Sequence, residues 1–178
     1  MPGILQGEPL LSAVYDFCAE RRGARPMPTR ADIDPVDLPR FVLPHLALLE
    51  VFDAGARYRW RLTGTEVVSR FGRDATGRFG DEVLSGDYLA FFTSLISQVC
   101  RRQVPVYSLT LFRWEDGRTM TTSRLCVPLG DADAGVTQVL GAYDFRAKAS
   151  PRHPAALLCD ARQIEELVRQ ELPFEPPP

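Results

Sequence analysis

Apolar positions recur with two periods along this chain, and the switches between them mark its elements. Leu10, Leu11, Val14, Phe17 and Cys18 follow helical spacing behind Pro9, a residue that suits a first helical turn. The pattern predicts a helix ending near Arg22-Gly23, after a loose stretch over residues 1–8. A helix with one apolar stripe must lie on something, either its own sheet or a second subunit. Residues 25–44 then hold prolines at 26, 28, 35, 39 and 44, which deny the backbone regular structure. Ile33, Leu38, Phe41 and Val42 want burial, so the segment reads as an extended wrap with one short turn at Asp34-Pro35.

The period then becomes two. His45–Asp53 and Arg57–Thr63 read as a hairpin across Asp53–Ala56. Tyr58, Trp60 and Leu62 alternate with Arg57, Arg59 and Arg61, which predicts one shared inward face. Gly64 breaks the strand, Thr65 caps a short helix over residues 65–71, and Gly72 ends it. A glycine-punctuated loop leads to Gly80, and Asp81–Leu84 forms a single turn. Asp87 is the expected cap of the longest helix, residues 88–102. There Tyr88, Phe91, Phe92, Leu95, Ile96 and Val99 are spaced 3, 1, 3, 1 and 3.

Val104–Trp114 and Thr119–Val127 follow as strands, with Asp116-Gly117 expected as a two-residue turn. That register sets Tyr107 opposite Cys126 and Leu109 opposite Arg124, all on one face. A one-residue slip would exchange the faces. Pro128–Gly135 reads as a loop and Val136–Phe145 as the last strand. A linker over residues 146–154, an amphipathic helix Asp160–Leu172 through Ile164, Leu167 and Val168, and a loose proline-rich tail complete the chain.

Bulk composition narrows the partners. The 178 residues carry a formal net charge of −2, which gives nucleic acid no electrostatic purchase. Lys148 is the only lysine. A GC-rich coding sequence accounts for that bias, and guanidinium recognition of anions is the functional alternative. The four cysteines, 18, 100, 126 and 159, form no C-x-x-C pair and read as small buried hydrophobes rather than a disulfide or zinc framework. No apolar run approaches a membrane span, and no basic-then-apolar leader opens the chain, so a cytoplasmic protein without a membrane partner is expected.

Candidate chemistry is sparse. Gly72-x-x-x-x-Gly77 lacks the Lys-Ser/Thr of a phosphate-binding loop and opens no long helix, so it reads as a turn or a pocket rim. Cys100 beside Arg101 could be an activated thiolate, but the end of an apolar stripe explains it as well. His45 and His153 lie at the edges of the expected core, and no carboxylate pair, Ser-His-Asp set or metal cluster forms. Arg124, Asp144 and Tyr107 could converge on a cavity, which keeps a small α+β pocket enzyme open. An arginine on a half-buried strand could bind an anion bidentately, or snorkel, or pair with an acid.

The order of two strands, helices and three antiparallel strands resembles the PAS-domain superfamily, in particular a bacterial family of small stand-alone PAS-like proteins. The residues that carry the resemblance are Arg61–Thr65 at the corner, Gly72–Arg78 in the loop, Arg124–Leu129 on the fourth strand, and Asp32–Pro39 before them. It covers about residues 8–146. The resemblance implies an α+β fold: a five-stranded antiparallel sheet in the order 2-1-5-4-3, with helices enclosing a pocket on one face. It divides the chain into an N-terminal flanking helix (1–23), a PAS-like core (24–146) and a C-terminal linker, helix and tail (147–178).

The expected role is non-enzymatic sensing or regulation, through a small ligand or a protein partner. A dimerising scaffold without ligand is the alternative. The pocket candidates are Trp60, Phe71, Phe92, Tyr107, Leu109, Arg124 and Tyr143, and Leu10, Leu11, Val14 and Phe17 are candidates for a homodimer interface. The cofactor is left open. Histidine-ligated haem does not fit, because no histidine lies within residues 46–152. Covalently bound flavin does not fit either, because the Asn-Cys-Arg-Phe motif is absent.

Overall fold

A computed structural model of the protein describes residues 1–147 and 163–174. Its strands are β1 (Leu46–Phe52), β2 (Arg57–Thr63), β3 (Val106–Arg113), β4 (Thr119–Asp131), β5 (Gly135–Ala147) and β6 (Gln163–Glu171). Its helices are α1 (Pro9–Arg22), α2 (Thr65–Phe71), α3 (Gly80–Val83) and α4 (Gly86–Arg102). The strands form one antiparallel sheet in the order β2-β1-β5-β4-β3-β6. The expected order of the first five strands therefore holds, and β6 adds a sixth at the β3 edge.

Both faces of the sheet are buried. On one, the stripe of α4 (Phe92, Leu95, Ile96, Val99) packs with Trp60, Phe71, Phe112 and Tyr143. On the other, Leu10, Leu11, Val14 and Cys18 of α1 pack with Tyr107, Leu125, Val127 and Leu140, and the proline-rich wrap adds Ile33, Leu38 and Val42. Each large apolar side chain taken out of water contributes roughly 1.5–3 kcal/mol. The chain thus has two cores separated by one sheet. Among the described residues no helix is long and apolar enough to cross a membrane.

Three features correct the pattern-based reading, and two of them are bulges. At the β1–β2 pair, Leu49 faces Trp60 while Leu48 faces Leu62, so Arg61 is an extra residue. Trp60 stays in the α4-side core, but Leu62 turns to the other face and is 45% exposed. At the β3–β6 pair, Leu109 faces Val168 and Thr110 faces Glu166, which leaves Leu167 unpaired and 45% exposed. Ile164 then packs on the α4 side and Val168 on the α1 side. The spacing that predicts a C-terminal helix over 160–172 belongs, within the described residues, to a bulged strand. The unpaired β3 edge supplies the hydrogen bonds that override local helical preference.

The third correction is the β3–β4 hairpin. The Gly117 amide donates to the Trp114 carbonyl at 3.0 Å, the Trp114 amide donates to the Arg118 carbonyl at 3.1 Å, and Gly117 has φ +80°. This is a three-residue loop with glycine in the left-handed position, not a two-residue turn. The extra loop residue moves the register by one: Tyr107 faces Leu125, and Ser108 faces Arg124.

Smaller differences are independent of the register. β4 continues through the expected loop to Asp131, where the Gly130 amide donates to the Pro28 carbonyl of the wrap at 3.0 Å. Residues 1–8 are not loose, since a turn at Gly3–Leu5 buries Leu5 completely. The expected cap at Asp87 falls inside α4, whose cap is Ser85. Lys148, His153, Cys159, most of the expected linker, the first residues of the expected helix and the last four residues lie outside the described residues.

The corner after β2 is set by Gly64. A Cβ there would meet the Pro44 carbonyl oxygen at 2.3 Å and the Leu43 carbonyl oxygen at 2.7 Å, and its amide donates to the Leu46 carbonyl at 2.8 Å. Those neighbours are backbone and cannot swing away. Gly64→Ala should therefore lower the unfolding free energy in urea by about 1–3 kcal/mol. Gly3→Ala, with open space around it, should leave the midpoint unchanged. Equal effects at both positions would contradict the packing account of the corner.

Candidate functional site

The inner faces of the three central strands form rows under α4. Ser108 of β3 faces Arg124 of β4, which faces Tyr143 of β5. The next row is Thr110, Thr122 and Phe145. Parity follows from the corrected hairpin: Met120, Thr122, Arg124 and Cys126 point toward α4, while Thr121, Ser123 and Leu125 point away.

Arg124 is the anomaly in this layer. It is fully buried, at 0% relative exposure. Its Nη1 donates to Thr110 Oγ1 at 2.6 Å, and that hydroxyl donates to the Thr122 carbonyl at 3.4 Å. Among the described residues its Nε and Nη2 have no hydrogen-bond partner. Among the described residues no carboxylate pairs with it; the acids near its strands bind other arginines, Glu165 with Arg113, Glu166 with Arg169, and Asp144 with Arg146. Three aromatic rings surround the guanidinium carbon, Phe91 at 5.3 Å, Phe112 at 5.5 Å and Tyr88 at 5.9 Å. Such cation–π contacts are worth on the order of 2 kcal/mol when desolvated. The effective cost of burying an unpaired ion is several kcal/mol.

Other polar atoms in the layer are also unspent. Ser108 Oγ, Thr122 Oγ1, Tyr143 Oη and Trp60 Nε1 are buried without a partner among the described residues. Burial holds the Tyr143 phenol far above its ordinary range, so it stays neutral and can donate. Gly141 makes room for that ring: a Cβ there would lie 2.8 Å from Tyr143 Oη. The far wall is aromatic. Trp60 stacks on Phe92 at 5.7 Å and meets Phe71 edge-on at 5.4 Å, and Phe92 in turn meets Tyr88 at 6.4 Å.

The structure brings Trp60, Phe71, Phe92, Arg124 and Tyr143 into this α4-side layer and separates Tyr107 and Leu109 from it. Both belong to the α1-side core, because the three-residue loop exchanged the hairpin faces. The trio Arg124, Asp144 and Tyr107 does not converge, since Asp144 faces Ser123 on the α1 side and pairs with Arg146 at 2.8 Å. Ser108, Thr110 and Thr122 are the residues that pattern reasoning missed, along with Tyr88, Phe91 and Phe112 as the rings around Arg124. A loop ending in glycine is the signal that two turn types share.

The four dimer candidates pack on the chain's own sheet. Leu10, Leu11 and Val14 are buried against the chain's own sheet, and Phe17 packs partly on that core. The start of α1 is fastened there by Glu8, which accepts hydrogen bonds from Ser123 Oγ at 3.1 Å, from Tyr107 Oη at 3.4 Å and from Arg146. Cys100 is not an activated thiol: burial pushes it up to about 11. His45 Nδ1 lies 3.0 Å from the Tyr143 carbonyl oxygen and ties the entry to β1 onto β5. Among the described residues, no group of three or more His, Cys, Asp or Glu could hold a metal ion.

The state of Arg124 has a stability signature. Arg124→Met keeps a long side chain and removes an uncompensated charge, so the ligand-free protein should unfold at an equal or higher urea concentration, with a gain of up to about 1–4 kcal/mol. Trp60→Ala, which opens a hole in the same layer, should cost about 3–5 kcal/mol. A loss at Arg124→Met as large as that at Trp60→Ala would show that the guanidinium is already fully stabilised.

Comparison with known proteins agrees with the topology. No curated protein matches the chain. A family model described as a PAS domain matches residues 8–144, which takes in α1, the wrap, the first four strands, the helices between them and most of β5. The chain belongs to the PAS domain family.

Proposed function

We propose that this PAS domain is a non-enzymatic sensory or regulatory module that takes up a small anion-bearing molecule between α4 and the sheet, at Arg124. The observation that carries the reading is the open Nε–Nη2 edge of a fully buried guanidinium. A charge removed from water is retained where a partner of opposite sign compensates it. Here the protein supplies one neutral hydrogen bond and three rings. The free hydroxyls of Ser108 and Thr122 and the Tyr143 phenol lie in the same two cross-strand rows, within the layer a guest would enter.

No chemistry is assigned to the site. Burial raises Tyr143 and pushes Cys126 up to about 12, so neither is poised as a base or nucleophile near neutral pH. A role as a scaffold dimerising through α1 is not favoured, because the apolar stripe of that helix is spent within the chain.

Phe91 is the most exposed of the three rings around Arg124. Tyr88 and Phe112 are buried, whereas Phe91 is half-buried on α4. Its ring also lies 5.4 Å from the guanidinium of Arg169 on β6.

The test uses the two tryptophans as reporters, since Trp60 reaches Tyr88 through Phe92 and Trp114 lies 6.3 Å from Phe112. Titration with a panel of small anionic metabolites should produce a saturable change in emission for at least one compound, and Arg124→Met should abolish it. A panel without effect, or binding that survives Arg124→Met, would contradict the proposal.

A further inference from the structure

We infer that the anion taken at Arg124 is a planar carboxylate, and that the ligand class is a small monocarboxylic acid with an apolar or aromatic body. This rests on the anion-binding reading above and assigns its chemistry.

The geometry lies in which donors are spent. A guanidinium presents its donors in a planar fork. Nη1 is committed to Thr110 Oγ1 at 2.6 Å. The two atoms left open, Nε and Nη2, share one edge of the plane. Their N–H bonds run parallel, and two coplanar oxygens on one carbon match them with two hydrogen bonds at once. Had the open donors been Nη1 and Nε, which point apart, no such pairing would exist.

Charge sets the valence of the guest. Arg124 offers one positive charge. Arg169, which shares the Phe91 ring with Arg124, is already paired with Glu166 and donates to Ser94 at 2.9 Å. A phosphomonoester brings about −1.5 to −2 at neutral pH, which leaves excess charge in a dry layer. The walls oppose that excess, because the ring faces of Phe91, Phe112 and Tyr88 turn toward the guanidinium and an aromatic face is the negative side of its quadrupole. A single negative charge is neutralised; a second is repelled.

The remaining oxygen lone pairs have donors. Ser108 is the cross-strand neighbour of Arg124, and Thr122 lies two residues before it on the same face; both hydroxyls are buried and unspent. Past them lie Phe112, Tyr88 and Phe92, which pack edge to face at 5.1 and 6.4 Å and suit an apolar body, not a second polar group.

The experiment is isothermal titration of the full chain with sodium acetate, benzoate, phosphate and chloride at matched ionic strength. The side-chain Nε–H resonance of Arg124 is followed in parallel by ¹⁵N NMR and assigned by its loss in Arg124→Lys. Benzoate and acetate should bind saturably, benzoate more tightly, and move that resonance. Phosphate and chloride should bind at least tenfold more weakly. Arg124→Lys keeps the charge but loses the fork and should weaken benzoate by about tenfold or more. Ser108→Ala should weaken it less, with the fold preserved.

Preference for phosphate or chloride would overturn the carboxylate assignment and leave the anion site standing. Undiminished benzoate binding in Arg124→Lys would overturn the side-on geometry. The absence of any Arg124-dependent anion binding would overturn both this inference and the reading it rests on.

Discussion

A guanidinium stripped of water and given one hydrogen bond is the constraint around which the interior of this PAS domain is arranged. Arg124 cannot leave the layer, because its strand is held on both sides by β3 and β5. The surroundings supply what neutral groups can: a threonine hydroxyl, three aromatic faces and a shell of unspent hydroxyls. Beside the aromatic packing from Trp60 through Phe92 to Tyr88 the guanidinium is fully buried, and burial makes an uncompensated charge costly and an arriving counter-charge effective.

The same strand serves both faces of the sheet. Thr122 and Arg124 point toward α4, while Ser123 and Leu125 point toward α1. Ser123 binds Glu8 at the start of α1 at 3.1 Å, so the flanking helix is anchored one residue from the buried charge. The two cores are therefore one sheet thickness apart at this point, and the sequence Thr122–Leu125 alternates between them.

Most of the fold could be read from the sequence wherever the apolar period was unbroken. The stripe of α4, the inward Trp60, the short helix to Phe71 and the strand order of the PAS core all follow from spacing and resemblance. The three register failures share a physical cause: one extra residue. An extra residue at Leu167 sends Ile164 and Val168 to opposite faces and makes a strand imitate a helix. An extra residue at Arg61 splits Trp60 from Leu62. An extra residue in the Glu115–Gly117 loop moves Tyr107 and Leu109 out of the candidate site and Ser108 and Thr110 into it. Local patterning has no access to such insertions, because a bulge depends on the partner strand. Arg124 was identifiable as a charged residue in an apolar run, but its missing partner is a three-dimensional fact.

A crystal structure of the protein grown with benzoate examines directly what stands beside the Nε–Nη2 edge of Arg124. The account predicts electron density for a planar group within hydrogen-bond distance of both nitrogens, with the three rings displaced only as far as the guest requires. An unoccupied edge closed over by side chains, with benzoate elsewhere or absent, would contradict it.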